Sequence, residues 1–247
     1  MKIIGIIPAR FASSRFPGKP LADIEGRSMI QRVYEQVRSC TSLSEVVIAT
    51  DDERIVEHVQ LFGGNVILTS NQHQSGTDRC AEVVTKISGF DVAINIQGDE
   101  PFINPLQIEL LCSLFQNPNT DIGTLVKKIN DIEDLFNENT PKVVFDSNDN
   151  ALYFSRQTIP FLRGEDREQW LKKTPYYKHI GMYGYRIEVL KKITEIPVST
   201  LEKSESLEQL RWLENGLKIK VAITEHDTIA VDFPEDIELI RKRYFNH

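Results

Sequence analysis

Cysteines are few in this sequence, and long apolar runs are absent. Cys40, Cys80 and Cys112 lie far apart, and none has the CxxC or Cys/His spacing of a zinc site. We therefore expect buried thiols in a reducing compartment, the cytoplasm. The N-terminal apolar run Ile3–Ile7 has the length of a strand, which is too short to span a membrane, and no cleavage-site pattern follows it. The sequence thus predicts no membrane partner.

An excess of positive charge is also absent. The 247 residues include 29 basic and 36 acidic side chains, a formal net charge of −7. This balance argues against a protein that coats nucleic acid, but it permits an anionic substrate held by local basic groups. With 40% hydrophobic and 26% charged residues, the composition excludes a disordered chain, a collagen-like repeat and a disulfide scaffold. The length suits one large α/β domain, with or without a subdomain insert.

Short apolar runs alternate with helical patterns through the first half of the chain. Several of these apolar runs are rich in β-branched residues, which is typical of strands buried on both faces of a parallel sheet. Ser28, Asn104 and Ser199 begin helix-start signatures, and the leucine spacing after Ser199 predicts one helix that continues towards Gly216. The alternation from residue 3 to 115 predicts an α/β, Rossmann-like, doubly wound and mostly parallel sheet. The predicted strands are Ile3–Ile7, Val46–Ala49, Val66–Leu68, Val92–Ile96, Ile122–Val126, Val143–Phe145 and Ile219–Ile223.

The stretch from about 150 to 195 interrupts this alternation. It is rich in aromatic, glycine and proline residues, so we predict an inserted hairpin subdomain within a single domain that spans 1–247. In open parallel sheets, ligands bind beyond the carboxyl ends of the strands. The polar residues that follow the predicted strands are therefore the candidates for function.

The loop after the first predicted strand, from Pro8 to Pro20, holds three cations and no acid. Arg10, Arg15 and Lys19 could contact several phosphate groups at once. The glycine spacings of a Walker A loop and of GxGxxG are both missing. A solvated basic loop is the alternative interpretation, but the position of the loop after the first strand of an acidic protein favours a phosphate site.

Two acidic residues follow apolar runs further along the chain. Asp99 comes after the predicted strand Val92–Ile96, and Asp232 comes after the short run Ile229–Val231. A carboxylate at the end of a strand suits Mg²⁺, which takes few protein ligands beside waters and phosphate oxygens. A turn or helix cap is the alternative for Asp99, and a cap of the last helix is the alternative for Asp232. Their spacing alone does not show whether the two carboxylates converge.

Blocks of sequence along nearly the whole chain resemble those of the 3-deoxy-manno-octulosonate (Kdo) cytidylyltransferases, the CMP-Kdo synthetase family. The basic loop, ARFASSRFPGKPL, is similar to the signature of that family, and a looser form of it occurs across sugar nucleotidyltransferases. The other blocks follow in order: ATDDERI (49–55), SGTDRCAEV (75–83), INIQGDEP (94–101), ALYFSRQTIP (151–160), KHIGMYGYR (178–186), LEQLRWLENG (207–216) and VDFPEDIE (231–238).

The resemblance implies an enzyme that joins CTP and Kdo to give CMP-Kdo and pyrophosphate, and so activates Kdo for lipopolysaccharide biosynthesis. It also implies the nucleotide-diphospho-sugar transferase type of fold and a homodimer, for which the 150–195 insert is a candidate interface. Asp99 and Asp232 match the metal-binding acids of the family, so Mg²⁺ is the expected cofactor. Family members usually have threonine where this chain has Phe233, beside a metal ligand.

The resemblance further divides the candidate residues between two substrates. Taken by themselves, Arg156 could be a surface arginine, His179 a structural histidine and Glu208 part of a solvated helix face; Ser75 could simply begin a helix. By resemblance, the residues expected at the nucleotide are Pro8, Ala9, Arg10, Arg15, Lys19, Ser75, Arg79 and Asp99. The residues expected at the acceptor are Gln97, Arg156, His179, Tyr183, Glu208 and Gln209.

Two competing functions stay open at this point. The chain could activate a related sugar acid, such as 8-amino-Kdo or a sialic acid, although the PGKPL segment favours Kdo by resemblance. It could also be a non-enzymatic nucleotide-binding protein on the same scaffold. The combination of the basic loop with Asp99 and Asp232 argues against the second, because a protein without catalysis has no need for both.

Overall fold

The computed structural model of the protein describes residues 1–12 and 15–245, so Ser13 and Ser14 of the basic loop, like Asn246 and His247, lie outside the described residues. The strands are β1 (Ile3–Ala9), β2 (Asp23–Ile24), β3 (Arg27–Ser28), β4 (Glu45–Thr50), β5 (Val66–Leu68), β6 (Val92–Asn95), β7 (Ile122–Lys128), β8 (Lys142–Phe145), β9 (Ala151–Ser155), β10 (Tyr177–Arg186) and β11 (Ile219–Ile223). The helices are α1 (Met29–Arg38), α2 (Glu53–Leu61), α3 (Gly76–Lys86), α4 (Pro105–Ser113), α5 (Ile132–Phe136), α6 (Trp170–Lys173), α7 (Ile187–Thr194), α8 (Thr200–Glu205), α9 (Gln209–Glu214) and α10 (Asp236–Tyr244).

Within these described residues, a nine-stranded sheet has the main order β11-β7-β10-β6-β1-β4-β5, and β8 joins β9 to β10. The strands β6, β1, β4 and β5 pair in parallel, as do β7 and β11. β10 runs antiparallel between β6 and β7. The predicted α/β, Rossmann-like and mostly parallel sheet is confirmed.

Helices cover both faces of this sheet, and β1 contributes to both cores. Ile3 and Ile7 enter the core that α1 and α4 cover, whereas Ile4 and Ile6 enter the core that α3, α7 and α9 cover. Alternate residues of a strand point to opposite faces, so a strand buried on both sides needs a continuous apolar run. All three cysteines are buried free thiols, which confirms their predicted burial.

The segment predicted as an insert, 150–195, divides into two parts in the structure. β8 and β9 form a hairpin at the side of the sheet, whereas β10 lies in the middle of the sheet. Gly184 of β10 reflects close packing in a central strand, since a Cβ atom there would meet the ring of Phe115. The boundary of the hairpin therefore differs from the prediction, because the hairpin begins at Lys142 and β10 belongs to the main sheet.

The predicted helix starts at Ser28, Asn104 and Ser199 are confirmed, since each side chain caps a helix. The prediction of one helix from Ser199 towards Gly216 is wrong. Ser206 takes a left-handed conformation with φ of 51° and ends α8, and α9 begins three residues later. Leu207, Leu210 and Leu213 all follow this break, so their helical spacing belongs to the segment of α9, and it gave no sign that a separate helix precedes it. No helix among the described residues is both long and apolar enough to cross a membrane.

The contact between Gly184 and Phe115 gives a stability prediction. A Cβ atom on residue 184 would lie 2.5 Å from Cε2 of the Phe115 ring, so we expect Gly184→Ala to lower the free energy of unfolding by about 1–3 kcal/mol. Urea denaturation measures this difference. Gly181→Ala is the control on the same strand, because the nearest atom to its Cβ would be 3.8 Å away. Equal stability of Gly184→Ala and the unmutated protein would show that this packing is not a constraint.

Candidate active site

Lys19 lies where three segments of the chain meet. Its ammonium group contacts Oδ2 of Asp99 at 2.6 Å and donates to the main-chain carbonyl of Val231 at 2.8 Å. The Lys19 side chain is only 15% exposed, so the ion pair is poorly screened by water. The N–H of Val231 in turn donates to the carbonyl of Asp99 at 2.9 Å. The basic loop, the turn after β6 and the segment before α10 are therefore joined at one point.

Asp232 follows this junction and pairs with the basic loop. Arg15 lies 2.8 Å from the Asp232 carboxylate through Nη2, and its guanidinium also lies over the Phe233 ring at 5.5 Å. The main-chain bond between Val231 and Asp99 brings the residue before Asp232 to the Asp99 turn, and each of the two carboxylates has a cation beside it.

The surroundings of Asp99 and Asp232 differ from the prediction in two respects: Asp232 does not follow a strand, and neither residue caps a helix. Ile229–Val231 is not a strand but an irregular segment, because its neighbour is the turn at Asp99 rather than a sheet edge. Asp232 does not cap the last helix; instead, its own N–H and that of Phe233 donate to the Asp236 carboxylate, each at 2.8 Å. Asp99 is likewise not a helix cap, since Asn104 caps the next helix.

A cleft of about 340 Å³ opens at the carboxyl ends of β1 and β6. Gly98 is required at its floor, because a Cβ atom there would lie 2.6 Å from the carbonyl oxygen of Pro8. The main chain of the two strands can approach this closely only without a side chain. Among the residues that line the cleft are Pro8, Ala9, Arg10, Arg15, Lys19, Gln97 and Asp99.

The 75–79 segment lies beside this cleft, but its two predicted residues differ in their surroundings. Ser75 caps α3 and, with Asp78, forms a reciprocal capping box. The guanidinium of Arg10 donates to the carbonyls of His73 and Ser75, so the basic loop and the start of α3 are in contact. Arg79 is fully buried and bonds to Asp51 and Thr69. It braces the ends of β4 and β5, and its contact with a nucleotide stays a prediction.

The predicted acceptor residues at the ends of β6 and β9 bond to the main chain. Gln97 donates from Nε2 to the carbonyl of Gly181 at 2.6 Å. Arg156 donates from Nε to the carbonyl of Glu205 at 2.7 Å and from Nη1 to the carbonyl of Glu138 at 3.1 Å, while a longer bond of 3.4 Å reaches the carbonyl of Ser206. Arg156 is thus not a free surface arginine; it orients the turn that precedes α9.

His179 and Tyr183 lie on the antiparallel strand β10. The imidazole Nε2 of His179 is 3.0 Å from Oγ1 of Thr124, and its ring contacts those of Phe154 and Tyr183. Burial lowers the pKa of His179 to about 3, so the imidazole is neutral at physiological pH. Burial, followed by the negative charge of Glu208, raises the pKa of Tyr183 well above its usual range. Both side chains therefore offer neutral hydrogen-bonding groups.

Glu208 and Gln209 do not lie on a solvated helix face. Glu208 accepts from Thr77 Oγ1 at 2.6 Å and from Arg211 Nη2 at 2.9 Å. Burial raises the pKa of its carboxyl above the usual range, against hydrogen bonds from Thr77 and Ser75 that lower it. Gln209 is only 4% exposed, and its Nε2 has no hydrogen-bond partner within residues 1–12 and 15–245. A buried donor left unpaired costs about 1–3 kcal/mol, which a bound acceptor group would offset.

Lys142 and Glu100 also support the site, although no sequence pattern gave either of them a role. Lys142 is fully buried, and its ammonium donates to the carbonyls of Asn137 and Arg156 at 2.8 and 2.7 Å. Glu100 is also buried; burial, and then the charge of Asp99, raises its pKa to about 7. The available signals in the sequence were a lysine, Lys142, directly before an apolar strand pattern and a second acid, Glu100, directly after Asp99.

The donor chemistry of the two carboxylates fits Mg²⁺. Within residues 1–12 and 15–245, no cluster of three or more histidine, cysteine or acidic side chains could hold a metal ion. Mg²⁺ nevertheless is commonly bound through one or two carboxylates together with phosphate oxygens and waters. The Asp99 and Asp232 side chains are 26% and 43% exposed, so both are accessible to solvent, and Asp99 lines the cleft.

The fold and the cleft together define a class of protein. A basic loop after the first strand of a doubly wound sheet, facing two convergent carboxylates, is the arrangement of an α/β nucleotidyltransferase. The family model described as cytidylyltransferase matches residues 4–219. A solved 4-diphosphocytidyl-2C-methyl-D-erythritol synthase from Anaerococcus prevotii, 16% identical with a TM-score of 0.64 over 100% of this chain and 99% of that one, shows the same fold.

Closer relatives narrow this class. The 3-deoxy-manno-octulosonate cytidylyltransferases of Parabacteroides distasonis and Bacteroides thetaiotaomicron are 59% and 58% identical, each over 96% of this chain and 96% of theirs. A solved CMP-2-keto-3-deoxy-manno-octonic acid synthetase in complex with CTP is 42% identical, with a TM-score of 0.92 over 100% of this chain and 99% of that one. This chain belongs to the 3-deoxy-manno-octulosonate cytidylyltransferase family.

The neutral imidazole of His179 gives a pH prediction. The pKa of about 3 in the folded protein is below the value of about 6.5 in an unfolded chain. The stabilisation is therefore complete above pH 6.5 and is lost as the pH falls towards 3, by at most about 1.4 kcal/mol per pH unit. Urea denaturation of the unmutated protein and of His179→Gln should give unfolding free energies that approach each other between pH 6.5 and pH 4.5. Parallel pH curves for the two proteins would contradict the burial of a neutral imidazole.

Proposed function

We propose that this protein joins CTP and Kdo to form CMP-Kdo and pyrophosphate, a reaction that activates Kdo for lipopolysaccharide biosynthesis. The observation that carries the proposal is the junction at Lys19, where the basic loop meets Asp99 and the segment that leads to Asp232. A junction of cations and carboxylates at the carboxyl end of the sheet suits transfer of a nucleotidyl group. The related CMP-2-keto-3-deoxy-manno-octonic acid synthetase was solved with CTP.

In the proposed reaction, the anomeric hydroxyl oxygen of Kdo attacks the α-phosphorus of CTP. The bond from that phosphorus to the bridging oxygen of the β-phosphate breaks, pyrophosphate leaves, and the hydroxyl proton is released to solvent. Arg10, Arg15 and Lys19 offset the negative charge that develops on pyrophosphate. Such a transfer depends on positioning and charge stabilisation rather than on covalent chemistry by the protein.

Asp99 and Asp232 are the residues proposed to hold Mg²⁺. When bound, Mg²⁺ supplies charge neutralisation at the phosphate oxygens and lowers the pKa of the attacking hydroxyl. Lys19 and Arg15 contact these same two carboxylates, which supports the proposal that both cations also meet the phosphates. The ring of Phe233 keeps the guanidinium of Arg15 beside Asp232. Ser75 and Arg79 remain proposed for the nucleotide, with Ser75 in contact with Arg10.

The acceptor is proposed to bind on the side of the cleft formed by β10 and α9. Gln97 connects the two regions, because it follows β6 and bonds to Gly181 of β10. His179, Tyr183, Glu208 and Gln209 would meet the sugar hydroxyls. Arg156 would meet the carboxylate, with its guanidinium exchanging one of its carbonyl partners.

We also propose a cytoplasmic homodimer. Leu152 of β9 and Phe161 are 60% and 72% exposed in the single chain, and apolar side chains of this size favour burial against a partner. Both belong to the 150–195 stretch. Three reduced cysteines agree with the cytoplasm as the compartment.

Release of pyrophosphate tests the proposed activity. We expect release from CTP with Kdo in the presence of Mg²⁺, and a kcat/KM for Kdo at least tenfold above those for 8-amino-Kdo and for sialic acid. A higher kcat/KM for 8-amino-Kdo or for sialic acid would show that this acid, rather than Kdo, is the acceptor substrate. CTP binding without pyrophosphate release from any of the three would indicate the non-enzymatic alternative.

The two carboxylates give a further prediction. Asp99→Asn and Asp232→Asn are nearly isosteric and remove one metal-binding charge each, so we expect each to lower turnover more than a hundredfold while the thermal midpoint changes little. Calorimetric titration of Mg²⁺ into the protein with CTP should show weaker binding by both variants. Asp121→Asn, at an exposed aspartate before β7, is the control. Unchanged Mg²⁺ affinity in either variant would remove that residue from the metal site.

A further inference from the structure

Thr77 connects the two sides of the cleft through one side-chain hydrogen bond. It lies in the first turn of α3, is 2% exposed, and donates from Oγ1 to Oε2 of Glu208 at 2.6 Å. The two residues are 131 positions apart in the chain. The other carboxylate oxygen, Oε1, accepts from Arg211 at 2.9 Å. Thr77 is therefore the donor to Oε2, and it lies on α3 rather than beside Glu208 at the start of α9.

The same turn of α3 contacts the nucleotide side. A Cβ atom on Gly76 would lie 3.5 Å from the ring of Pro8, which lines the cleft, and the Ser75 carbonyl accepts from Arg10. Ser75, Gly76 and Thr77 are consecutive, and the reciprocal capping box between Ser75 and Asp78 fixes this turn. The position of Thr77 is thus set by residues proposed to meet the nucleotide.

We propose that Thr77 is a positioning residue for the acceptor: its hydroxyl holds the Glu208 carboxylate in the orientation that receives a sugar hydroxyl, and it makes that orientation depend on the turn beside the nucleotide. The inference rests on the proposed function, in which Glu208 contacts Kdo. Thr77 itself contacts neither substrate.

The chemistry of Glu208 explains why such a donor is needed. Burial raises the pKa of its carboxyl, which means that the surroundings disfavour the charged form. A hydrogen bond to a charged group stabilises that form more strongly than one to a neutral group. Without the hydroxyl of Thr77, the carboxylate would keep the guanidinium of Arg211 and could rotate towards it. A sugar hydroxyl would then meet a misoriented or protonated acceptor.

Substitutions at Thr77 separate positioning from packing. Thr77→Val is nearly isosteric and removes the hydroxyl, and we expect the KM for Kdo to rise roughly tenfold to a hundredfold, the range that loss of a charged hydrogen bond gives. The KM for CTP should change less than threefold. Thr77→Ser restores the hydroxyl and should bring the KM for Kdo back to within about threefold of the unmutated enzyme. Thr85→Val is the control on the same helix, because the exposed Thr85 hydroxyl bonds only within its own helix, to the carbonyl of Ala81.

A double variant connects the effect to Glu208. If Thr77 acts through Glu208, Thr77→Val should raise the KM for Kdo less than twofold when Glu208 is already alanine, which has no acceptor for the Thr77 hydroxyl. A full additional rise in that background, or equal rises of KM for both substrates with no rescue by serine, would overturn the inference and leave Thr77 a packing residue.

The controls keep the two proposals apart. If Glu208→Gln leaves the KM for Kdo unchanged in an active enzyme, the role of Glu208 in the proposed function is wrong, and the inference falls with it. If Glu208→Gln raises that KM and Thr77→Val does not, the proposed function stands and the positioning role of Thr77 alone is overturned.

Discussion

The site depends on one partly buried ammonium group, that of Lys19. Asp99 and Asp232 bring two negative charges to one end of the sheet, and like charges at short range repel each other unless cations lie beside them. Lys19 balances the first and also binds the carbonyl that precedes the second, while Arg15 balances the second. Because Lys19 reaches these partners from a loop that follows β1, the ion pair also determines the path of that loop. The path of the basic loop and the positions of Asp99 and Asp232 therefore depend on the same set of contacts.

On the other half of the cleft, the antiparallel strand β10 determines which residues lie close together. β10 runs antiparallel to β6, and its Tyr183 pairs with Asn95 at the end of β6. Gln97 then reaches the carbonyl of Gly181 directly. The register of this pairing sets which residues of β10 lie next to the cleft, and Gly184 allows the strand to pack against Phe115.

The features that were predicted correctly depend on neighbouring residues, whereas the features that were missed depend on contacts between distant parts of the chain. The strands up to β6 and the caps at Ser28 and Asn104 could be predicted because apolar runs and capping side chains act within a few residues. The central position of β10 could not, since pairing with β6 across more than eighty residues leaves no local signal. The break at Ser206 was missed because the helix-start signature at Ser199 and the leucine spacing after Ser206 were taken as one helix. The site residues after β1 and β6 followed from the sheet, whereas those of the acceptor side came from family resemblance alone.

The two halves of the cleft differ in the physical property that each can recognise. On the nucleotide side, Arg15 is 57% exposed and Lys19 lies at a polar junction, so these charges can exchange partners as phosphates arrive, and they select for negative charge more than for shape. On the acceptor side, a neutral His179 and the buried Gln209 offer fixed hydrogen-bonding atoms. A sugar acid that leaves such an atom without a hydrogen bond binds more weakly, and the positive charge of the basic loop does not compensate for that loss. In the proposed function, discrimination among keto-sugar acids therefore belongs to β10 and α9, and the basic loop contributes to rate for any acid that those elements accept.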